Sequence, residues 1–334
     1  MKKTLLTICL VWMCFSLSAQ KIIDLSGKWS FSIDRQDNGE KEKWFSHTLN
    51  DFINLPGSMP EKLKGDEVTA KTQWTGSLYD SSYYYNPYME KYRKEGNIKF
   101  PFFLTPDKHY VGAAWYQKEV NIPADWKGER ILLFLERPHI ETTVWVNGQK
   151  TGMQNSLCVP HQYDITRYVR PGKCTITIRV DNRIKEINVG PDSHSITDQT
   201  QGNWNGIVGR ICLQTTPKTY FDDIQIYPEP EQKLARVKVV IKGTGTAKVK
   251  LSAESFNTDK KHIVPAIQQE IKLNKGVTET EMVLPMGNDM LLWDEFHPAL
   301  YKLKAEVTNG KKTEIKEIQF GMRRFEIKGK WFYV

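Results

Sequence analysis

Cysteine is scarce in this chain of 334 residues. Cys9 and Cys14 lie in the first 20 residues, which leaves Cys158, Cys174 and Cys212, an odd number at wide spacing. That excludes a disulfide framework, and with no CxxC pair it excludes a thiolate metal site. The three thiols are expected to be buried packing groups. The seven histidines are isolated from one another and no GxSxG segment occurs, so metal-dependent and serine-hydrolase chemistry find no support. Neither a metal nor an organic cofactor is expected. The longest apolar run, Leu5 to Leu17, has 13 residues, whereas a membrane-spanning helix needs about 20. Uninterrupted basic stretches are also missing, because Lys and Arg alternate with acids as in Glu40-Lys41-Glu42-Lys43. No stripe follows a phosphate backbone, which excludes nucleic acid as a partner.

What is present begins with a leader. Lys2 and Lys3 precede the apolar run, and Ser18 and Ala19 close it, the pattern of a secretory signal peptide cut after Ala19. The protein is therefore expected to be exported, to a periplasm or beyond, with no membrane span in the mature chain. Losing Lys2 and Lys3 takes the net charge from +8 to +6. Aromatic residues are plentiful, with ten Trp, 14 Tyr and 14 Phe, so large rings either pack the core or face a ligand.

Helical periodicity is hard to find, whereas short alternating or β-branched runs recur between turn signals. Trp29, Phe31 and Ile33 alternate with polar residues in GKWSFSID, and Ile176, Ile178 and Val180 share one face of a strand ending at Asp181. Thr142 to Val146 runs into Asn147-Gly148, a strong type I′ hairpin signal. The reading is all-β, a jelly-roll or related sandwich. Thr69 to Pro106 breaks the pattern, with Tyr79, Tyr83, Tyr84, Tyr85, Tyr88 and Tyr92 among Asn, Gly and Pro. Disordered segments are aromatic-poor, so this is expected to be an ordered excursion over one end of the sandwich. A Pro/Glu-rich break at Tyr227 to Gln232 precedes strands expected at Arg236 to Lys242, Ala247 to Phe256, Ile267 to Leu273, Val277 to Leu284, Leu300 to Val307 and Thr313 to Phe320. That spacing fits an immunoglobulin-like sandwich, and the boundary is placed near residue 217. The expected plan is a leader at 1–19, a jelly roll at 20–217, a second sandwich at 218–320 and a junction at 321–334.

Four segments in this order resemble the amino-terminal half of glycoside hydrolase family 2, which holds β-galactosidases, β-glucuronidases and β-mannosidases. They are AAWYQKEVNIPADWKGERILLFLERPHIETTVWVNGQKTG, YDITRYVRPGKCTITIRVDNR, GIVGRICL, and LLWDEFHPALYKLKAEV followed by FGMRRFEIKGKWFYV. The resemblance implies a galactose-binding-like jelly roll followed by an immunoglobulin-like domain, with the chemistry on a (β/α)₈ barrel beginning just after the segment matching Phe320 to Val334. It implies retaining hydrolysis of terminal β-linked sugars by two carboxylates about 5–5.5 Å apart. A barrel takes about 250 residues, and the chain has no Asn-Glu dipeptide of the family's acid/base type. The expectation is therefore a β-galactosidase-like chain without catalytic residues of its own. Its partners would be an oligo- or polysaccharide, a catalytic barrel in cis and further copies of itself. The rival is a stand-alone carbohydrate-binding or adhesion protein, for which the apolar ending Trp331-Phe332-Tyr333-Val334 would be an exposed liability.

For substrate contacts, the resemblance points to Asn97, ahead of Phe100-Pro101 in GNIKFPF, as an amide for sugar hydroxyls. It also asks for an acid six residues before Gly206, where Thr200 stands; Asp198 could serve only with a shifted loop. The surrounding TDQTQGNWN combines hydroxyl-binding residues with a ring for stacking, which makes Trp204 and Asn205 substrate-binding candidates as well. Trp29, Trp115, Trp145 and Trp293 read as core. Asp294 and Glu295 are adjacent, point to opposite faces of an extended chain, and cannot act as a pair.

Overall fold

The computed structural model describes residues 21–75, 81–100, 105–185, 197–198 and 202–333. The leader, Tyr79 and residues 199–201 of the TDQTQGNWN segment lie outside the described residues. Two compact units are present, Lys21–Thr215 and Thr216–Val334. Both units are all-β, and strands such as Gly27–Asp34 and Tyr301–Asn309 carry the apolar alternation that the sequence shows.

In the first unit a six-stranded antiparallel sheet runs in the order Gln149–Asn155, Glu141–Val146, Gly172–Asp181, Ala113–Ile122, Gly27–Asp34 and Asp51–Leu55. A second sheet runs Ile22–Asp24, Gly206–Thr216, Arg130–Pro138 and His161–Asp164, with Gly57–Ser58 added to the Gly206–Thr216 strand. The facing residues form one core: Trp29 and Phe31 from one strand, Ile176, Ile178 and Val180 from another, and Ile131, Leu133 and Leu135 from the opposite sheet. The side-chain period of two is what sorts these residues inward. Asn147 and Gly148 both have positive φ, 49° and 77°, as the hairpin signal requires. Trp115 and Trp145 pack on the other face of the large sheet, with ring centroids 5.0 Å apart, and Phe45 stacks on Trp145 at 5.1 Å.

In the second unit the strand order is Tyr220–Glu229, Leu234–Ser255, Tyr301–Asn309 and Lys312–Phe320, with Ile263–Pro285 also pairing to Leu234–Ser255. Here the structure departs from the sequence reading. Four expected strands are two long ones, of 22 and 23 residues. The Gly243–Gly245 segment, which separates two of the expected strands, is a register shift inside a continuous ladder that pairs Gly243 with Gly276. Glycine supplies a bulge that bends the strand without ending it. Before the bulge the long strand pairs with Tyr220–Glu229, and after it with Tyr301–Asn309, so its two halves have different neighbours.

Two further expectations need correction. Cys174 and Cys212 are buried, but Cys158 is exposed, and all three are free. Trp293 is only half-buried and lies under the Arg323 guanidinium at 4.3 Å. The Tyr-rich excursion has ordered helical turns at Ser81–Tyr84 and Pro87–Tyr92 among its described residues, anchored by the fully buried Tyr83. No helix among the described residues is long and apolar enough to cross a membrane.

Candidate functional site

One end of the jelly roll gathers residues 182, 197–198 and 203–206 with the segments at 74–75, 109–112 and 139–140. Gly206 is the pivot. Its φ of 146° and its approach to Gly57, whose carbonyl oxygen would lie 2.5 Å from an added Cβ, leave room for no other residue.

Next to this glycine the asparagines do the structural bonding. Asn205 is fully buried; its amide donates to the carbonyls of Gly112 and Val180, both at 2.9 Å, and accepts from the Tyr116 hydroxyl at 2.7 Å. Asn182 donates to the Tyr110 carbonyl at 2.9 Å and accepts from the Gly112 amide at 2.8 Å. Asn203 donates to the Thr75 hydroxyl at 2.9 Å and the Asn182 carbonyl at 3.0 Å. Asn205→Ala should cost about 2 kcal/mol in urea unfolding, because two carbonyls and a buried hydroxyl lose their partner.

This frame holds Asp198, which is 2% exposed. Its carboxylate accepts from the backbone amides of Thr75 at 2.6 Å and Asn203 at 2.5 Å, and lies 3.4 Å from His109 Nε2. Residues 199–201, between Asp198 and Asn203, lie outside the described residues. Trp204 is half-buried and stacks on His139, with centroids 4.6 Å apart and planes 18° from parallel. His139 is itself buried, and its Nε2 has no hydrogen-bond partner. Burial, opposed by the Asn203 carboxamide and the Asp198 charge, pushes its pKa down to about 4, so the ring is neutral at physiological pH.

The four sequence candidates thus separate. Asp198, Trp204 and Asn205 share this loop end. Asn97 is exposed, donates to the Lys91 carbonyl at 2.8 Å and closes a local turn; its bonds do not reach the Asp198 network. Thr75, His109, His139, Asn182 and Asn203 were not singled out from sequence; His139, Asn182 and Asn203 lie inside the quoted segments, but nothing local marks them, and only the fold assembles them with Thr75 and His109.

Beside the loops an ion cluster locks the departing strand. Arg179, Asp181 and Arg183 alternate in sequence, so an extended chain puts them on one face. Arg179 bonds Asp37 at 2.6 Å, Asp181 at 3.0 Å and Glu141 at 3.3 Å; Arg183 bonds Asp37 and Asp181, both at 2.6 Å; Lys185 bonds Asp181 at 2.9 Å and Glu141 at 3.0 Å. Burial works against the Asp181 charge, but hydrogen bonds from Arg183 and Lys185 and the Arg179 charge outweigh it and hold the carboxyl well below the usual range.

Residues 22–217 match the sequence profile of the glycosyl hydrolases family 2 sugar binding domain, and residues 219–323 match the glycosyl hydrolases family 2 profile that follows it. The chain belongs to glycoside hydrolase family 2. The loop end described above therefore lies within the region matched by the family's sugar-binding domain. A β-glucuronidase of Paenibacillus borealis is 24% identical over 335 residues, covering 94% of this chain and 47% of that protein. A β-galactosidase of Clostridium acetobutylicum is 25% identical over 316 residues, covering 92% of this chain and 32% of that protein. The solved β-glucuronidase of an uncultured Clostridium species has the same fold over 95% of this chain and 47% of its own, with a TM-score of 0.62 at 21% identity. This family 2 chain spans about half or less of the relatives it matches.

Proposed function

We propose that these sandwiches are the substrate-presenting part of an exported family 2 glycosidase of the β-galactosidase type. It hydrolyses terminal β-glycosidic bonds with retention, and the two catalytic carboxylates lie outside these 334 residues. The basic, apolar leader supports export to the periplasm or the medium. A catalytic barrel in cis and further copies of the chain are its proposed protein partners, and a glycan is its substrate.

The observation that carries the reading is Trp204. Its indole is braced on one side by a neutral, buried imidazole and remains partly open, next to a carboxylate oriented by two backbone amides. A braced ring can take the C–H face of a pyranose, and a carboxylate can accept from its hydroxyls. In this reading Trp204 touches sugar and Asp198, 2% exposed here, does so with its loop shifted, whereas Asn205, with its amide engaged internally, positions them. Asn97 would join only by exchanging its bond to Lys91 for one to substrate.

A neutral terminal sugar is favoured over a uronate. The cations that follow the Gly172–Asp181 strand toward this end, Arg183 and Lys185, are engaged by Asp37, Asp181 and Glu141, so a ligand carboxylate would meet Asp198 without a free counter-charge. The test is kinetic. In the full-length enzyme Trp204→Ala should lower kcat/KM for p-nitrophenyl β-D-galactoside about tenfold or more, ~1.4 kcal/mol per factor of ten. An unchanged value, or a preference for p-nitrophenyl β-D-glucuronide, would overturn the assignment.

A further inference from the structure

The Tyr-rich excursion lines an open cavity of about 890 Å³ between the strand at Asp66–Glu67 and the chain at 93–100 and 105–107. That is at the upper end of the range of small-molecule sites, about 300–1,000 Å³. The half-buried Val68 and Ile98 and the buried Phe100 supply an apolar surface. Exposed Glu95, Lys99 and Asp107 stand at its solvent side. The Arg93 guanidinium is committed to the Tyr83 and Asn86 carbonyls, and Glu67 to Lys108. The carboxylates of Glu95 and Asp107 receive no bond from any described residue.

Phe100 ties this cavity to the loop end. Its ring packs edge-on against Trp74 at 4.9 Å, Trp74 packs against His109 at 4.6 Å, and His109 reaches Asp198. The cavity and Asp198 are therefore linked through a chain of packed rings. The same excursion leaves Tyr85 and Tyr88 73% and 84% exposed.

We infer that this cavity is a second glycan subsite, taking two or more units of an uncharged oligosaccharide. The inference rests on the reading of the jelly roll as glycan-facing. Two free carboxylates beside an apolar surface match vicinal hydroxyls and the C–H face of a pyranose. Among the described lining residues, two anions without a partner against Lys99, with Arg93 committed to backbone carbonyls, disfavour a uronate chain. Among the described residues no three His, Cys, Asp or Glu gather at ligand spacing.

The full chain is titrated by calorimetry with galactotetraose, cellotetraose, xylotetraose, mannotetraose and tetragalacturonate. At least one neutral tetraose should bind more tightly than tetragalacturonate, and Glu95→Gln/Asp107→Asn should weaken it tenfold or more. Both side chains are exposed, so an unchanged Tm confirms that the fold survives the substitutions. Affinity unaffected by that double variant, tightest binding by tetragalacturonate, or binding by none of the five overturns the subsite. Loss confined to Trp204→Ala places the sugar at the loop end and removes only the cavity. Loss confined to the double variant keeps the cavity and removes the role given to Trp204.

Discussion

Replacing Asp181 with Asn should lower the unfolding free energy by about 3–5 kcal/mol, the range for removing one partner from a buried ionic cluster. The carboxylate is fully buried and meets Arg179, Arg183 and Lys185 within 3.0 Å. The substitution keeps the shape and removes the charge, leaving three cations facing only Glu141 and Asp37. Of these, Asp37 is 43% exposed. Asp37→Asn should accordingly cost less, under about 1 kcal/mol, because solvent screens an exposed pair. Urea unfolding checks both; similar losses at the two positions would show that burial does not set the value of this cluster.

The second large effect is a pH dependence. His139 is neutral in the folded protein down to about pH 4, whereas an unfolded histidine titrates near 6.5. Its folded value is depressed, so its contribution is full above pH 6.5 and is lost as pH falls toward 4, where the unfolded chain has taken up a proton that the folded chain has not. That gap of roughly 2.5 units corresponds to about 3 kcal/mol. His139→Phe keeps a ring against Trp204 and cannot protonate. Between pH 6.5 and 4 the wild type should therefore lose about 3 kcal/mol more than His139→Phe. Parallel pH profiles would mean that the loop end opens and solvates the imidazole well before the protein unfolds.

Much of the fold was legible in the sequence because strand patterns are local. Trp29 and Phe31, the Ile176-Ile178-Val180 face and the Asn147-Gly148 turn each follow from two or three neighbouring residues. The misreadings came where a local signal has two structural meanings. Gly243 and Gly245 could mark a turn or a bulge, and only a partner strand running past both decides. Cys158 read as a packing thiol because free cysteines usually are, and a loop position cannot be told from a core one without the fold.

The loop end was legible in part. TDQTQGNWN has the mixture that a sugar surface uses, and it drew attention to Asp198, Trp204 and Asn205. It could not separate the side chain braced for contact from the one consumed by internal bonds, because Asn205 is satisfied by Gly112, Val180 and Tyr116, 25 to 93 residues away. His139 carried no signal at all, being one of seven isolated histidines. Its significance comes only from burial against Trp204.

The measurement that bears most directly on the central proposal is the intact mass of the protein purified from its source, read with the DNA beyond codon 334. A native mass well above 38.7 kDa, with a continuing frame that encodes an Asn-Glu pair and a second glutamate on a barrel, is the expected result. A mature mass about 2 kDa below that figure, the weight of a cleaved leader, with a stop directly after Val334, would contradict the glycosidase reading and leave a glycan-binding protein.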